Sequence, residues 1–124
     1  MIYLDTHIIV WLYVGDLTKL SPNAREIINQ NDLMISPMVC LELQYLKEIG
    51  RLTIDGQKIT DYLVEAIQLK ICDISFRDII TEANKLSWTR DPFDRLIVAH
   101  AITANCNLLT KDERIRNNFA CAVW

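Results

Sequence analysis

The sequence predicts an α/β fold: a three-layer sandwich on a central, mostly parallel sheet of about five strands. Short apolar runs recur along the chain with polar or turn residues at their ends, and stretches of helical periodicity separate each run from the next. Strands separated by helices pair in parallel through right-handed crossovers, which covers both faces of the sheet with helices. The chain has 124 residues, 51% of them hydrophobic, enough to close one core, and its three glycines and three prolines leave no room for a linker. One domain over residues 1–124, without internal repeats, is the expectation.

In chain order, the first strand is Ile2 to Leu4. Ser21-Pro22 starts a helix, because the serine hydroxyl caps the free N–H groups and proline at the first helical position has no N–H to leave unpaired. Leu33 to Ile35 is the second strand, and Ser36-Pro37 starts another helix by the same chemistry. That helix runs through Leu43 and Leu46 and stops at Gly50, the residue suited to a left-handed cap.

Ile59, Tyr62, Leu63, Ala66 and Ile67 share the spacing of one helical face. Lys70 to Ile74 is the third strand. Ser75 and Asp78 form the pattern of a capping box ahead of a helix whose inner face is Ile79, Ile80, Ala83 and Leu86. Asp91-Pro92 opens a helix to about residue 104 that is apolar on most sides beyond Ile97 and is therefore expected to be deeply buried. Asn107 to Thr110 and Ala122 to Trp124 complete the strands.

Composition excludes several function classes. The apolar opening MIYLDTHIIVWLYV lacks a basic start and a small-residue cleavage pattern, and its uncharged stretch is too short to span a bilayer. A soluble, cytoplasmic protein is expected. Cys40, Cys72, Cys106 and Cys121 form no C-x-x-C pair, so reduced thiols are expected rather than a zinc or redox motif. A net charge of −3 speaks against nucleic-acid binding through a broad basic surface, so any such work is local to one site. The same balance leaves room for a basic protein partner.

In parallel α/β sheets, ligands bind at the carboxyl ends of the strands. Asp5 directly follows the first strand, and Asp112 lies just past the fourth. Glu42 stands in the second turn of its helix between apolar neighbours, and Asp94 in the first turn of the buried helix. Four carboxylates in one crevice repel unless a cation compensates them, and hard oxygen donors in that number select Mg²⁺ or Mn²⁺. A cation held this way acidifies water and neutralises charge on a phosphoryl oxygen, chemistry that suits phosphodiester hydrolysis. Each acid also has an ordinary structural explanation. Asp5 suits a strand-end turn, Glu42 a plain helix position, Asp94 a helix N-terminus, Asp91 an N-cap, and Asp112 a solvated charge run from Lys111 to Arg114.

LDTHIIVW at 4 to 11, SPMVCLELQYL at 36 to 46, RDPFDRLIVAHA at 90 to 101 and LLTKD at 108 to 112 resemble the PIN-domain family, and more narrowly the VapC-type toxins of bacterial toxin–antitoxin pairs. The similarity covers essentially the whole chain in order. It implies a PIN-like sandwich, with Asp5, Glu42, Asp94 and Asp112 as the acids that bind Mg²⁺ or Mn²⁺ and activate water to cleave RNA. Thr6 and Thr110 match small hydroxyl residues beside the site, positioned to orient a carboxylate or a metal-bound water. Asp91 is an acid of the narrower subgroup, as metal ligand or as helix cap. The resemblance further implies a homodimer and an antitoxin whose tail covers the site.

Among the remaining residues, His7 and His100 lack a partner histidine at ligand spacing, which argues against metal ligation. Arg90, Arg95, Arg114 and Arg116 lie near the C-terminal acids, to hold RNA phosphates or to pair with those carboxylates. Trp88 has the option of stacking on an unpaired base, with a core position the better expectation for it; Trp11 and Trp124 read as core or dimer residues. Two other functions stay in play: a Mg²⁺-dependent phosphatase or phosphoryl-transfer protein, and a non-catalytic module binding RNA or protein. The phosphatase would want a second Asp two residues after Asp5, where this chain has His7.

Overall fold

A computed structural model describes residues 1–124. The chain alternates strands and helices: β1 (Ile2–Leu4), α1 (Thr6–Val14), a 3-10 turn (Leu17–Lys19), α2 (Pro22–Gln30), β2 (Leu33–Ile35), α3 (Pro37–Glu48) and α4 (Gly56–Ile67). It continues with β3 (Lys70–Ile71), α5 (Phe76–Ala83), α6 (Pro92–Thr103), β4 (Asn107–Leu109), α7 (Glu113–Asn118) and β5 (Ala122–Val123). The sheet has the order β3-β2-β1-β4-β5, and every neighbouring pair is parallel. The three-layer α/β architecture read from the sequence is the one observed. No helix is long and apolar enough to cross a membrane.

The central strand β1 is buried on both faces, as a parallel strand between helical layers must be. Tyr3, Leu4, Ile35, Leu108 and Leu109 of the sheet form one core with Ile8 and Ile9 of α1, Leu43 of α3, Leu63 of α4 and Ile97 of α6. Ile79 and Ala83 of α5 pack with Leu96 and Ala99 of α6 in a second, smaller core. Helix α6 therefore has apolar partners on two sides, which explains why residues 96 to 101 are all buried.

Several elements add to the sequence expectation or differ from it. The apolar stretch after Asp5 is a helix that ends at Gly15, whose φ of 74° is the left-handed conformation glycine adopts without steric cost. The third strand ends at Ile71 and not Ile74, because it is the sheet edge and only the Cys72 N–H still reaches Ile35. On α4, Tyr62, Ala66 and Ile67 are exposed, and the buried stripe is Gly56, Ile59, Thr60 and Leu63. Thr60 can sit in that stripe because its hydroxyl donates back to the carbonyls of Gly56 and Gln57. Ser75 holds the N-cap position of α5 but its side chain caps nothing, and Ile80 faces out. The charged run from Lys111 to Arg114 is exposed, as a solvated run is, and it also opens a helix, with Asp112 as the N-cap of α7.

All four cysteines are free thiols. His100 is buried, with Nδ1 2.9 Å from Ser36 Oγ and 2.8 Å from the Leu96 carbonyl. Burial lowers its pKa and so favours the neutral ring. Ser36 also caps α3 by accepting from the Met38 N–H at 3.0 Å. This histidine is thus a core link that fixes the start of α3 against α6, the two helices that carry Glu42 and Asp94.

Candidate active site

The chain leaves β1 toward β2 and β3 on one side of the sheet and returns later to build β4 and β5 on the other. The crevice where that direction reverses lies between β1 and β4, at their carboxyl ends. Asp5 enters it directly from β1. Its N–H still belongs to the sheet, bonding Leu109 O at 3.0 Å, and its side chain caps α1 by accepting from the Thr6 N–H at 2.8 Å. One residue thus closes a strand and opens a helix, and that constraint leaves it only 7% exposed.

From β4 comes Thr110, fully buried, whose hydroxyl donates to Asp5 Oδ2 at 2.5 Å and accepts from the Asp112 N–H at 3.0 Å. Asp112 in turn caps α7, accepting from the Ile115 N–H at 3.0 Å. Across α1, the buried Thr6 hydroxyl donates to Glu42 Oε1 on α3. Thr6 and Thr110 thus tie Glu42, Asp5 and Asp112 into one chain of hydrogen bonds. Asp94 comes from the first turn of α6, positioned by Asp91, whose Oδ1 accepts from the N–H groups of Phe93 (2.8 Å) and Asp94 (3.3 Å). Asp91 is exposed and its contacts are those of an N-cap.

Electrostatics shows how close these acids stand. Burial pushes the Asp94 carboxyl up to about 7, and the charges of Asp91, Asp5, Asp112 and Glu42 all add to the rise. Burial also raises Glu42, opposed by the Thr6 hydroxyl and reinforced by Asp5 and Asp91. Asp5 is raised by burial as well, against the lowering effect of its bonds from Thr110 and the Thr6 N–H. The fold therefore keeps three partly or wholly buried carboxyls, Asp5, Glu42 and Asp94, within electrostatic reach of one another at a cost to their ionisation that a bound cation would relieve.

No three of the histidine, cysteine, aspartate and glutamate side chains are gathered closely enough to form a coordination shell by themselves. The donor chemistry nevertheless fits a small hard cation, since all donors are oxygens and Mg²⁺ keeps several waters while taking only one or two carboxylates. Asp5 retains capacity for this, because each of its oxygens accepts a single hydrogen bond and has a second lone pair.

The arginines do not pair with the site carboxylates, one of the two roles the sequence offered. Arg95 donates from Nε (3.3 Å) and Nη2 (3.1 Å) to the Ala83 carbonyl at the C-terminal end of α5, which also accepts the Leu86 N–H at 3.0 Å. Arg114 donates to Trp88 O at 2.7 Å and Arg116 to Lys111 O at 3.2 Å. The ion pairs are Lys47–Asp55, Lys70–Asp32 and Lys85–Glu82, so no arginine pairs with a site acid. Trp88 packs against the main core with its indole N–H enclosed.

Trp11 and Trp124 pack against the main core with part of each ring still exposed, as the core reading expected, and Trp11 also borders the site. A cleft of about 260 Å³ is lined by Asp5, His7, Ile8, Trp11, Lys111 and Asp112. The signal was present in the i, i+4 spacing of His7 and Trp11, which sets both on one face of the helix that Asp5 caps.

The family model for the PIN domain matches residues 2–118. No curated protein sequence matches the chain significantly. Among solved structures, the chain is similar to one from VapBC2 of Rickettsia felis bound to a DNA fragment from its promoter, at 25% identity and a TM-score of 0.67, over 100% of this chain and 98% of that one. A chain of a toxin–antitoxin complex from Klebsiella pneumoniae shares 19% identity at a TM-score of 0.70, over 100% and 97% of the two chains. One from VapBC-1 of nontypeable Haemophilus influenzae shares 19% at 0.59, over 100% and 96%.

Proposed function

The chain belongs to the PIN-domain family, and from that premise we propose that it is a metal-dependent endoribonuclease, the toxin of a toxin–antitoxin pair. The reading is supported by the hydrogen-bond chain through Thr6 and Thr110 that links Glu42, Asp5 and Asp112 at the carboxyl ends of β1 and β4, and by Asp94, raised to about 7 by burial and then by the charges of Asp91, Asp5, Asp112 and Glu42. Those four carboxyls would hold Mg²⁺ or Mn²⁺. Bound there, the cation would acidify a water for attack on an RNA phosphodiester and offset the charge on the phosphoryl oxygens.

The chain's own groups prepare that chemistry. Thr110 fixes one oxygen of Asp5 and the Thr6 N–H the other, so the carboxylate plane cannot rotate away. Thr6 also holds Glu42 through its hydroxyl. With its pKa at about 7, Asp94 is partly protonated near neutrality, and a bound cation would favour its ionised form and release that proton.

The likeness to a VapBC2 chain, at 25% identity over the whole length, supports an antitoxin as partner. A basic antitoxin segment would complement the acidic crevice. Leu41 and Tyr45 on α3 with Phe76 and Ile80 on α5 are exposed apolar side chains, which supports a homodimer. Reduced cysteines are consistent with the cytoplasm.

Incubating the purified chain with structured and single-stranded RNAs tests the proposal. Cutting with Mn²⁺, none with EDTA, and a loss of roughly 10² or more in rate for Asp5→Asn and Asp94→Asn are expected. Unchanged cutting by Asp94→Asn would refute the carboxylate site. Binding without cutting would favour the non-catalytic module, and release of phosphate from a monoester would favour the phosphatase.

A further inference from the structure

The cleft beside Asp5 and Asp112 has an aromatic wall that the proposed hydrolysis does not use. His7 and Trp11 lie one turn apart on α1 with ring centroids 6.1 Å apart. Trp124, just past β5, meets Trp11 at 6.1 Å and an angle of 59°. The Lys111 ammonium stands 5.9 Å from the centroids of both indoles. His7 and Lys111 are exposed, and both tryptophans are only half-buried, so part of each indole stays in contact with water.

A nucleic-acid site in a chain of net charge −3, with acids at its centre, gains little from phosphate attraction. Its grip on a substrate must come from contacts insensitive to that repulsion. Stacking of a base on an aromatic face is such a contact, and a neighbouring cation strengthens it. A base is available for stacking only where it is unpaired, since in an A-form duplex its faces are covered by adjacent bases.

We propose that Trp11, framed by His7 and Trp124 and by Lys111, is a stacking platform that takes one unpaired base of the RNA strand whose phosphate lies at Asp5 and Asp112. The inference rests on the ribonuclease reading and sharpens it, making the substrate RNA that is single-stranded or splayed at one nucleotide beside the cut. Trp11 is a specificity-determining residue on this view, and Lys111 holds the platform's charge toward the strand.

Binding of a labelled single-stranded octaribonucleotide tests it, with Mn²⁺ present and on an Asp94→Asn background to stop turnover. The intact strand is compared with strands in which one nucleotide at a time lacks its base. Trp11→Leu is expected to weaken the intact strand on the order of tenfold, the scale of one stacked base. One abasic position should weaken the Trp11 protein by a similar factor and leave Trp11→Leu no weaker than before. Trp11→Phe should retain most of the binding. If melting shows that Trp11→Leu does not fold, Lys111→Gln at the exposed neighbour carries the test, with about a threefold loss on the intact strand and none on the strand lacking that base. Equal losses on every strand, or no loss, would overturn the platform. Failure of the unsubstituted chain to cut any RNA would overturn the ribonuclease reading and the platform with it, whereas cutting combined with equal losses overturns the platform alone.

Discussion

Thr110 donates a 2.5 Å hydrogen bond to Oδ2 of Asp5, joining two residues 105 positions apart in the chain. The bond spans the β1–β4 pair at the point where the sheet changes direction, and the same hydroxyl accepts the Asp112 N–H. Thr110→Val keeps the shape but removes the donor. Its expected effect is a loss of about 10- to 100-fold in nuclease activity or metal affinity, the range seen when the group orienting a ligand is removed. Thr110→Ser should restore most of it. Activity assays beside calorimetric metal titrations check this, and full activity in the valine variant would count against an orienting role.

The pH dependence of stability follows from Asp94. Its folded pKa of about 7 lies above the ordinary 3.8, so between those values the folded chain holds a proton the unfolded chain has lost. Metal-free stability therefore falls as pH rises through that window and levels off above it, with Asp5 and Glu42, also raised, contributing in the same direction. A divalent cation favours the ionised acids, so Mn²⁺ should raise the melting temperature more at about pH 8 than at about pH 5. Melting curves across pH, with EDTA and with Mn²⁺, test both halves. A metal-free profile that rises through the window would contradict the first, and a larger Mn²⁺ shift in acid the second.

Asp91 has two effects that substitution separates. Its side chain caps α6, and after burial its charge is the largest influence raising Asp94. Asn preserves the capping oxygen, so Asp91→Asn should keep stability within about 0.5 kcal/mol and move the acid limb of the pH–rate profile to lower pH. Asp91→Ala loses the cap as well and should cost about 1 kcal/mol. Loss of all cutting in the asparagine variant would instead make Asp91 a metal ligand.

Gly56 marks the close approach of α4 to α3. A Cβ there would lie 2.9 Å from the Gln44 nitrogen and 3.1 Å from the Cys40 carbonyl oxygen, backbone atoms that cannot swing aside. Its N–H also donates to the Gln44 side chain at 3.1 Å. Gly56→Ala should destabilise the chain by about 1–3 kcal/mol, as overpacking does, and lower activity because α3 carries Glu42. Urea unfolding decides the first point; wild-type stability would mean that the two helices part without cost.

The helix starts at Pro22, Pro37 and Pro92 were legible because capping is local chemistry written in adjacent residues. The face of α4 was not, since Tyr62 has the right spacing for the core yet is exposed and meets Tyr13 edge-on, at a centroid distance of 5.4 Å. Periodicity specifies a stripe on a helix but not which neighbour covers it. Arg95 shows the same limit: its charge suggested pairing with a site carboxylate, whereas its guanidinium donates to the Ala83 carbonyl at the end of α5.

For the carboxylates the division is sharper. The sequence by itself determined the alternation of strands and helices and put Asp5 and Asp112 just beyond strands, because both follow from hydrophobic period and chain order. Only the tertiary structure decided that β1 and β4 are neighbours, and with them that Thr110 reaches Asp5, that Asp94 feels four other acids, and that Trp124 meets the Trp11 that lines the cleft. Strand order and side-chain contact are set by packing among residues remote in sequence, and no local pattern encodes which distant partner a buried group will meet.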